Sequence, residues 1–269
     1  MLKYRMGISF SWFFDPHLQF SWFWLLEFLI VGTYLGFSMR RERQIYLDAG
    51  LTLFNLLVTF PLTLQLYKLI DSYFPRDAVQ TTGTQTGSAG IFLSALLFPI
   101  GYFVAADFLY TLGHIGFHKI PWLWRFHRVH HSAVSLTPFT AWRVHPLELA
   151  TNILAVIVGV KCYALLTATA FGIFPVGPSF YGLNWFEILI LASANFRHSE
   201  LWITFGPLNY FISSPAMHQI HHSLEARHRD KNFGLYLTVW DYIFGTLYVP
   251  RARESLNYGL PPTRERLSL

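Results

Sequence analysis

The chain has 269 residues, 53% of them hydrophobic and 18% aromatic, with only 13% charged and a mean hydropathy of +0.35. Soluble domains carry about 25% charged residues, so this balance points to a membrane solvent. It excludes a disordered chain, an ordinary basic nucleic-acid-binding domain and a small disulfide scaffold. The net charge of +5 fits Lys/Arg-bearing cytoplasmic loops, and the single cysteine, Cys162, excludes an internal disulfide and a cysteine-based metal site.

A spanning helix needs about 20 mostly apolar residues. Five stretches qualify in some degree: 18–37, 51–70, 91–118, 147–171 and the shorter 183–196, which carries Glu187. The first shows no cleavage site and reads as a retained helix. Residues 78–90 are rich in Thr, Gly and Ser and read as a loop. Residues 172–182 hold Pro175 and Pro178 and read as a turn. Within the fourth and fifth stretches, Lys161 and Glu187 are expected either to pair or to let Lys161 snorkel. The third stretch, about 28 residues or roughly 42 Å of helix, is too long for the bilayer alone, so its last turns should emerge into water.

Basic residues set the orientation. Arg40, Arg41 and Arg43 follow the first stretch, Lys119, Arg125, Arg128 and Arg143 follow the third, and seven more lie beyond residue 201. By the positive-inside rule these segments are cytoplasmic. If the fourth and fifth stretches form a hairpin, every histidine cluster then lies on the cytoplasmic side. The expected fold is an all-α polytopic membrane protein with four to five transmembrane helices and a cytoplasmic, histidine-rich helical cap.

Twelve histidines are present, and eight fall into three clusters: His114-x-x-x-His118, His127-x-x-His130-His131 and His218-x-x-His221-His222. Residues three or four apart share a helix face, so each cluster can aim imidazoles at one ion or at two neighbours. Asp107, Tyr110, His114 and His118 form one stripe. His145 and His198 stand nearby, while His17 and His228 read as ordinary structural histidines. Eight imidazoles exceed what one ion takes and suit two ions with exchangeable positions. Imidazole alone does not choose among Zn, Cu, Fe and Ni. Without cysteine or a nucleophile motif, redox use by iron with O₂ on a lipid C–H bond is favoured. Two other classes stay open: a membrane metal-binding or transport protein, and a zinc-dependent lipid hydrolase. The first would place its ligands near mid-bilayer, and the second lacks a His-Glu-x-x-His motif here.

Longer motifs surround the clusters. They are Asp107-x-x-Tyr110-x-x-x-His114-x-x-x-His118, Phe126-His127-Arg128-Val129-His130-His131-Ser132, Arg143-Val144-His145-Pro146-Leu147-Glu148, and Asn195-x-x-His198-Ser199. His218-x-x-His221-His222-Ser223, Asp230-x-Asn232-Phe233-Gly234 and Trp240-Asp241-x-x-Phe244-Gly245-Thr246 follow. Over residues 105–249 this pattern resembles the membrane-bound fatty acid hydroxylase superfamily, to which sterol desaturases belong. The resemblance implies a di-iron oxidoreductase. It would use O₂ and external electrons to hydroxylate or desaturate a fatty acyl, sterol, carotenoid or ether lipid. It implies His114, His118, His127, His130, His131, His218, His221 and His222 as ligands of two Fe ions, with His198 as an additional one. Asp107, Tyr110, His145, Asn195, Asp230 and Asn232 would support them, Asp107 and Asp230 by orienting imidazoles through the second ring nitrogen. No fused cytochrome is evident, so a b-type cytochrome or a ferredoxin with its reductase is expected as a separate donor. The expected organisation is an N-terminal membrane region (1–90), a di-metal catalytic domain (91–249) and a tail (250–269). Residues 232–234 are expected to turn, with Gly234 supplying a permissive backbone. Trp202, Trp240, Tyr242, Phe244 and Tyr248 are expected either at the membrane surface or packed over the metal layer.

Overall fold

A computed structural model describes residues 42–59, parts of 61–69, 88–171 and 196–260. Among them the chain is helical, with isolated bridges at Ile212–Leu237 and Ser223–Tyr258 and no strand. The helices are α1 (Glu42–Phe54), α2 (Ser88–Lys119), α3 (Pro121–His131), α4 (Pro146–Phe171), α5 (Pro215–His221) and α6 (Val239–Phe244). A π-helical turn, Asn55–Thr59, extends α1.

Three segments are long and apolar enough to cross a membrane: Tyr46–Thr63, Leu97–Lys119 and Pro146–Thr167. They correspond to the second, third and fourth predicted spans. The first span lies outside the described residues, as do all but the last residue of the fifth, Glu187 and Asn195. The second span begins earlier than its hydropathy suggests and includes Asp48. That carboxylate is buried and bonded 2.8 Å from Arg143 Nη1, so its charge does not meet lipid. A polar stripe on α1 grips the loop after α3. Gln44 Nε2 donates to Ser135 O, Asp48 pairs with Arg143, and Asn55 Nδ2 donates to Val144 O.

Antiparallel packing of α2 and α4 rests on small residues that let long helices close in. Gly101 lies against Tyr163, Gly159 against Leu109, and Gly113 against Asn152. The break between α2 and α3 is set by Pro121. A residue before proline is pushed out of the helical region, and Ile120 is extended (φ −97°, ψ 114°). Proline at the first helical position then restarts the helix. The chain thereby doubles back, and the inward face of α3 buries His127, His130 and His131 beside the end of α2.

Residues 196–260 are mostly irregular and pack on α2. Ala106, Leu235 and Tyr236 form a small core with Tyr102, Phe103, Tyr110 and Val156 around it. The turn at 232–234 forms as expected, for a different reason. The left-handed positions are Asp230 and Asn232, both at φ 57°, and not Gly234. Gly234 is required by crowding, because a Cβ there would sit 2.6 Å from Leu237 O and 2.8 Å from an Asp241 carboxylate oxygen.

Candidate metal centre

All nine histidines singled out as candidate ligands come together, in two groups. His114, His118, His127, His131 and His221 form one, and His130, His198, His218 and His222 the other. In each, one ring nitrogen per residue lies within 4.8 Å of all the rest. The rings of His131 and His222 stack across the boundary at 4.4 Å. Each pair spaced by four stays together: His114 with His118, His127 with His131, His218 with His222. The members at intermediate spacing, His130 and His221, turn to the opposite group.

Hydrogen bonds fix the ring orientation in the first group. His114 Nδ1–H donates to Phe233 O at 3.0 Å, His127 Nδ1–H to Glu148 Oε1 at 2.6 Å, and His221 Nδ1–H to Lys231 O at 2.8 Å. Each donation leaves a lone pair on Nε2, the atom facing the group. The Nε2 atoms of His114, His118 and His221 are buried without a hydrogen-bond partner. His127 and His131 bring their Nε2 atoms to 3.1 Å. In the second group His198 Nε2 stands 3.1 Å from His130 Nε2 and 2.8 Å from His218 Nε2, itself 3.2 Å from His222 Nε2.

These separations fit metal binding. Imidazole nitrogens about 2.0–2.1 Å from one ion and at right angles around it stand about 3 Å apart. Electrostatics agree. Burial holds His130, His131, His218 and His222 well below the usual imidazole range, with neighbouring histidines adding to the effect. Burial lowers His221 to about 3, against the opposing bond to Lys231 O. Neutral imidazole is the form that binds a metal. An all-imidazole donor set of five and four suits zinc, copper, iron or nickel.

The expected supporting residues divide. Tyr110 packs its ring on His114 at 5.8 Å. Asp230 Oδ1 lies 3.7 Å from His118 Nδ1, and its other oxygen is 2.5 Å from Lys119 Nζ. Asp107 does not orient an imidazole. Its carboxylate accepts the backbone N–H of Tyr236 and Leu237 and the indole N–H of Trp240, which moors the 236–240 segment to α2. His145 belongs to neither group: its Nδ1 accepts Leu147 N–H at the start of α4. Asn232 holds backbone together, donating to Met217 O and Tyr248 O and accepting Tyr248 N–H. His228 is buried between Ser223 and Glu254, away from both groups.

Four groups in direct or indirect support were not singled out from the sequence as supporting residues. Glu148 is buried behind His127. The carbonyls of Phe233 and Lys231 leave no side-chain trace. Asp241 accepts Phe233 N–H and Gly234 N–H, fixing the turn whose carbonyl holds His114. Two of these had a signal: Glu148 is a carboxylate in the first turn of an apolar helix, and Asp241 stands in the Trp240–Thr246 motif.

The family described as fatty acid hydroxylase matches residues 99–246. The chain is 29% identical over 154 residues to alkylglycerol monooxygenase of Caenorhabditis elegans, covering 57% of this chain and 28% of that protein. It is 27% identical over 157 residues to ornithine lipid hydroxylase OlsE of Rhizobium tropici, covering 58% and 44%. It is 28% identical over 207 residues to human cholesterol 25-hydroxylase, covering 74% and 65%. The chain thus spans less than two thirds of each of these relatives. No solved structure matches.

Proposed function

Because the chain belongs to the fatty acid hydroxylase family, we propose that it is a membrane oxidoreductase. It uses O₂ and externally supplied electrons to hydroxylate or desaturate a lipid-like substrate: a fatty acyl chain, sterol, carotenoid or ether lipid. The observation that carries this reading is the convergence of nine imidazoles into two adjoining groups beside three apolar helices. The activities for which these relatives are named, all on lipids, support the substrate class.

In this reading His114, His118, His127, His131 and His221 hold one iron, and His130, His198, His218 and His222 hold the other. When bound, the iron pair supplies the activation of O₂ needed to attack an unactivated C–H bond. The protein's own part is to hold, orient and exclude. Glu148 and the carbonyls of Phe233 and Lys231 keep three rings turned with Nε2 inward. Burial keeps His130, His131, His218, His221 and His222 neutral and limits water. Phe233, packed edge-on against His114, His118 and His221, closes one side. A lipid would enter laterally, between the spans and the histidine layer, from the cytoplasmic leaflet. Electrons would come from a b-type cytochrome or a ferredoxin with its reductase.

The test is reconstitution in bilayer discs with a reductase, candidate lipids and O₂. Lipid-dependent oxygen consumption with an oxygenated or unsaturated product is expected, and His130→Ala should abolish it. Ester cleavage without oxygen uptake, from a protein holding a single zinc, would overturn the reading.

A further inference from the structure

Two segments outside the candidate spans expose apolar side chains where a soluble cap would carry charge. Residues 201–212 contain no Asp, Glu, Lys or Arg, and residues 232–248 contain only Asp241, which is buried and bonded to the 233–234 turn. The segments adjoin: Ile212 bridges Leu237, and Thr238 N–H donates to Phe211 O. Together they present Leu208, Tyr210, Phe211, Val239, Tyr242 and Ile243, with Phe211 68% and Tyr242 76% exposed. Exposed apolar surface of this extent marks a binding face.

Position identifies the occupant. The Trp240 ring lies 4.9 Å from Phe108 and the Tyr236 ring 5.7 Å from Phe103, both on α2 within Leu97–Lys119. Phe108 is eleven residues, or about 16 Å of helix, from the charged Lys119–Asp230 pair at the end of α2. At these levels α2 itself exposes Ile100, Val104 and Leu112. The 236–244 segment therefore sits beside the apolar length of the span. Two charges border these segments, Glu200 just before residue 201 and Lys231, whose Nζ donates to Gly245 O, and the exposed arginines lie at another joint. Arg227, Arg229, Arg251 and Arg253 flank the joint where Leu224 N–H donates to Asn257 O and Ser223 bridges Tyr258.

We propose that residues 201–212 and 237–244 form a shelf that enters the bilayer leaflet facing the histidine layer without crossing it. Its partner is the lipid surface itself. Aromatic and aliphatic side chains occupy the headgroup–acyl boundary there, as in interfacial anchors. The Asp107 carboxylate, by taking three N–H groups from this segment, ties the shelf to the span. The shelf depends on the chain lying in a membrane and not on the metal chemistry, so it stands or falls separately from the oxygenase reading.

The test uses the full chain in phosphatidylcholine bilayer discs. Cys162, the only cysteine, is replaced by Ser. A nitroxide is then placed singly by Phe211→Cys, Tyr242→Cys or Ile243→Cys, with Arg229→Cys and Arg251→Cys as controls. All five positions are exposed, so labelling leaves packing intact. The first three labels should be several-fold more accessible to O₂ than to a water-soluble nickel chelate, and the controls the reverse. Nickel accessibility at 211, 242 and 243 equal to the controls would overturn the proposal. So would labels shielded from both reagents, which would mean that another segment or a second copy covers the face.

Discussion

Glu148 reaches His127 from the first turn of α4, 21 residues further along the chain, and this contact shows how the ring orientations are held. A carboxylate behind a metal-binding histidine fixes the ring and raises its basicity, and its loss costs about 10–100-fold in metal affinity or activity. Glu148→Gln keeps an acceptor but loses the charge, so iron affinity should fall by about tenfold. Glu148→Ala should fall by nearer 100-fold. Chelator competition measures both, and unchanged affinity in Glu148→Ala would remove this role. Eight of the nine histidines were readable because imidazoles recur at helical spacing, and His198 only through the family resemblance. Which ion each would serve was not, since spacings of three and four both count as one face. Asp107 shares the stripe of His114 but sits two turns earlier, where backbone N–H groups of 236 and 237 arrive from a distant segment. Periodicity carries no information about such a partner, nor about the carbonyls of Phe233 and Lys231.

The helices show how polar contacts between elements position the histidines. Arg143 connects three pieces: its guanidinium pairs with Asp48 on α1 and donates to Ser132 Oγ and Val129 O at the end of α3. Removing one member of a buried ion pair leaves an uncompensated charge, at a cost of about 3–5 kcal/mol. Asp48→Leu should therefore destabilise strongly, and Asp48→Leu with Arg143→Leu should recover a large part of the loss. A thermal-unfolding cycle in detergent checks this, and additive losses would show that the pair is not coupled. Gly234→Ala should cost about 1–3 kcal/mol, because its Cβ meets a fixed carbonyl and the Asp241 carboxylate. Span positions could be read from hydropathy, but the start of the second could not. Asp48 looks like a span terminator until its partner, 95 residues away, is in place.

Across the whole molecule the buried imidazoles make stability depend on pH. Burial holds His130, His131, His218 and His222 well below the free value of about 6.5, and lowers His221 to about 3. Between these limits the unfolded chain binds more protons, so metal-free protein loses stability as pH falls from about 6.5 toward 3. The unfolding midpoint of metal-free protein should drop between pH 7.5 and 5.5, and a flat or rising midpoint would contradict the neutral, buried assignment. Among the described residues, the helices and three candidate membrane spans were legible from composition, and the grouping of histidines largely from spacing. The division into five and four, and the descent of residues 236–244 beside α2, depend on tertiary contacts that no local pattern encodes.

Five imidazoles in one group and four in the other are expected to hold one ion each. Iron content per chain, measured on the purified protein and on single-group variants, tests this most directly. Two irons are expected in the parent and about one in His118→Ala or His222→Ala, with the remaining iron unaffected in each. One iron in the parent, or loss of both from either variant without loss of fold, would contradict it.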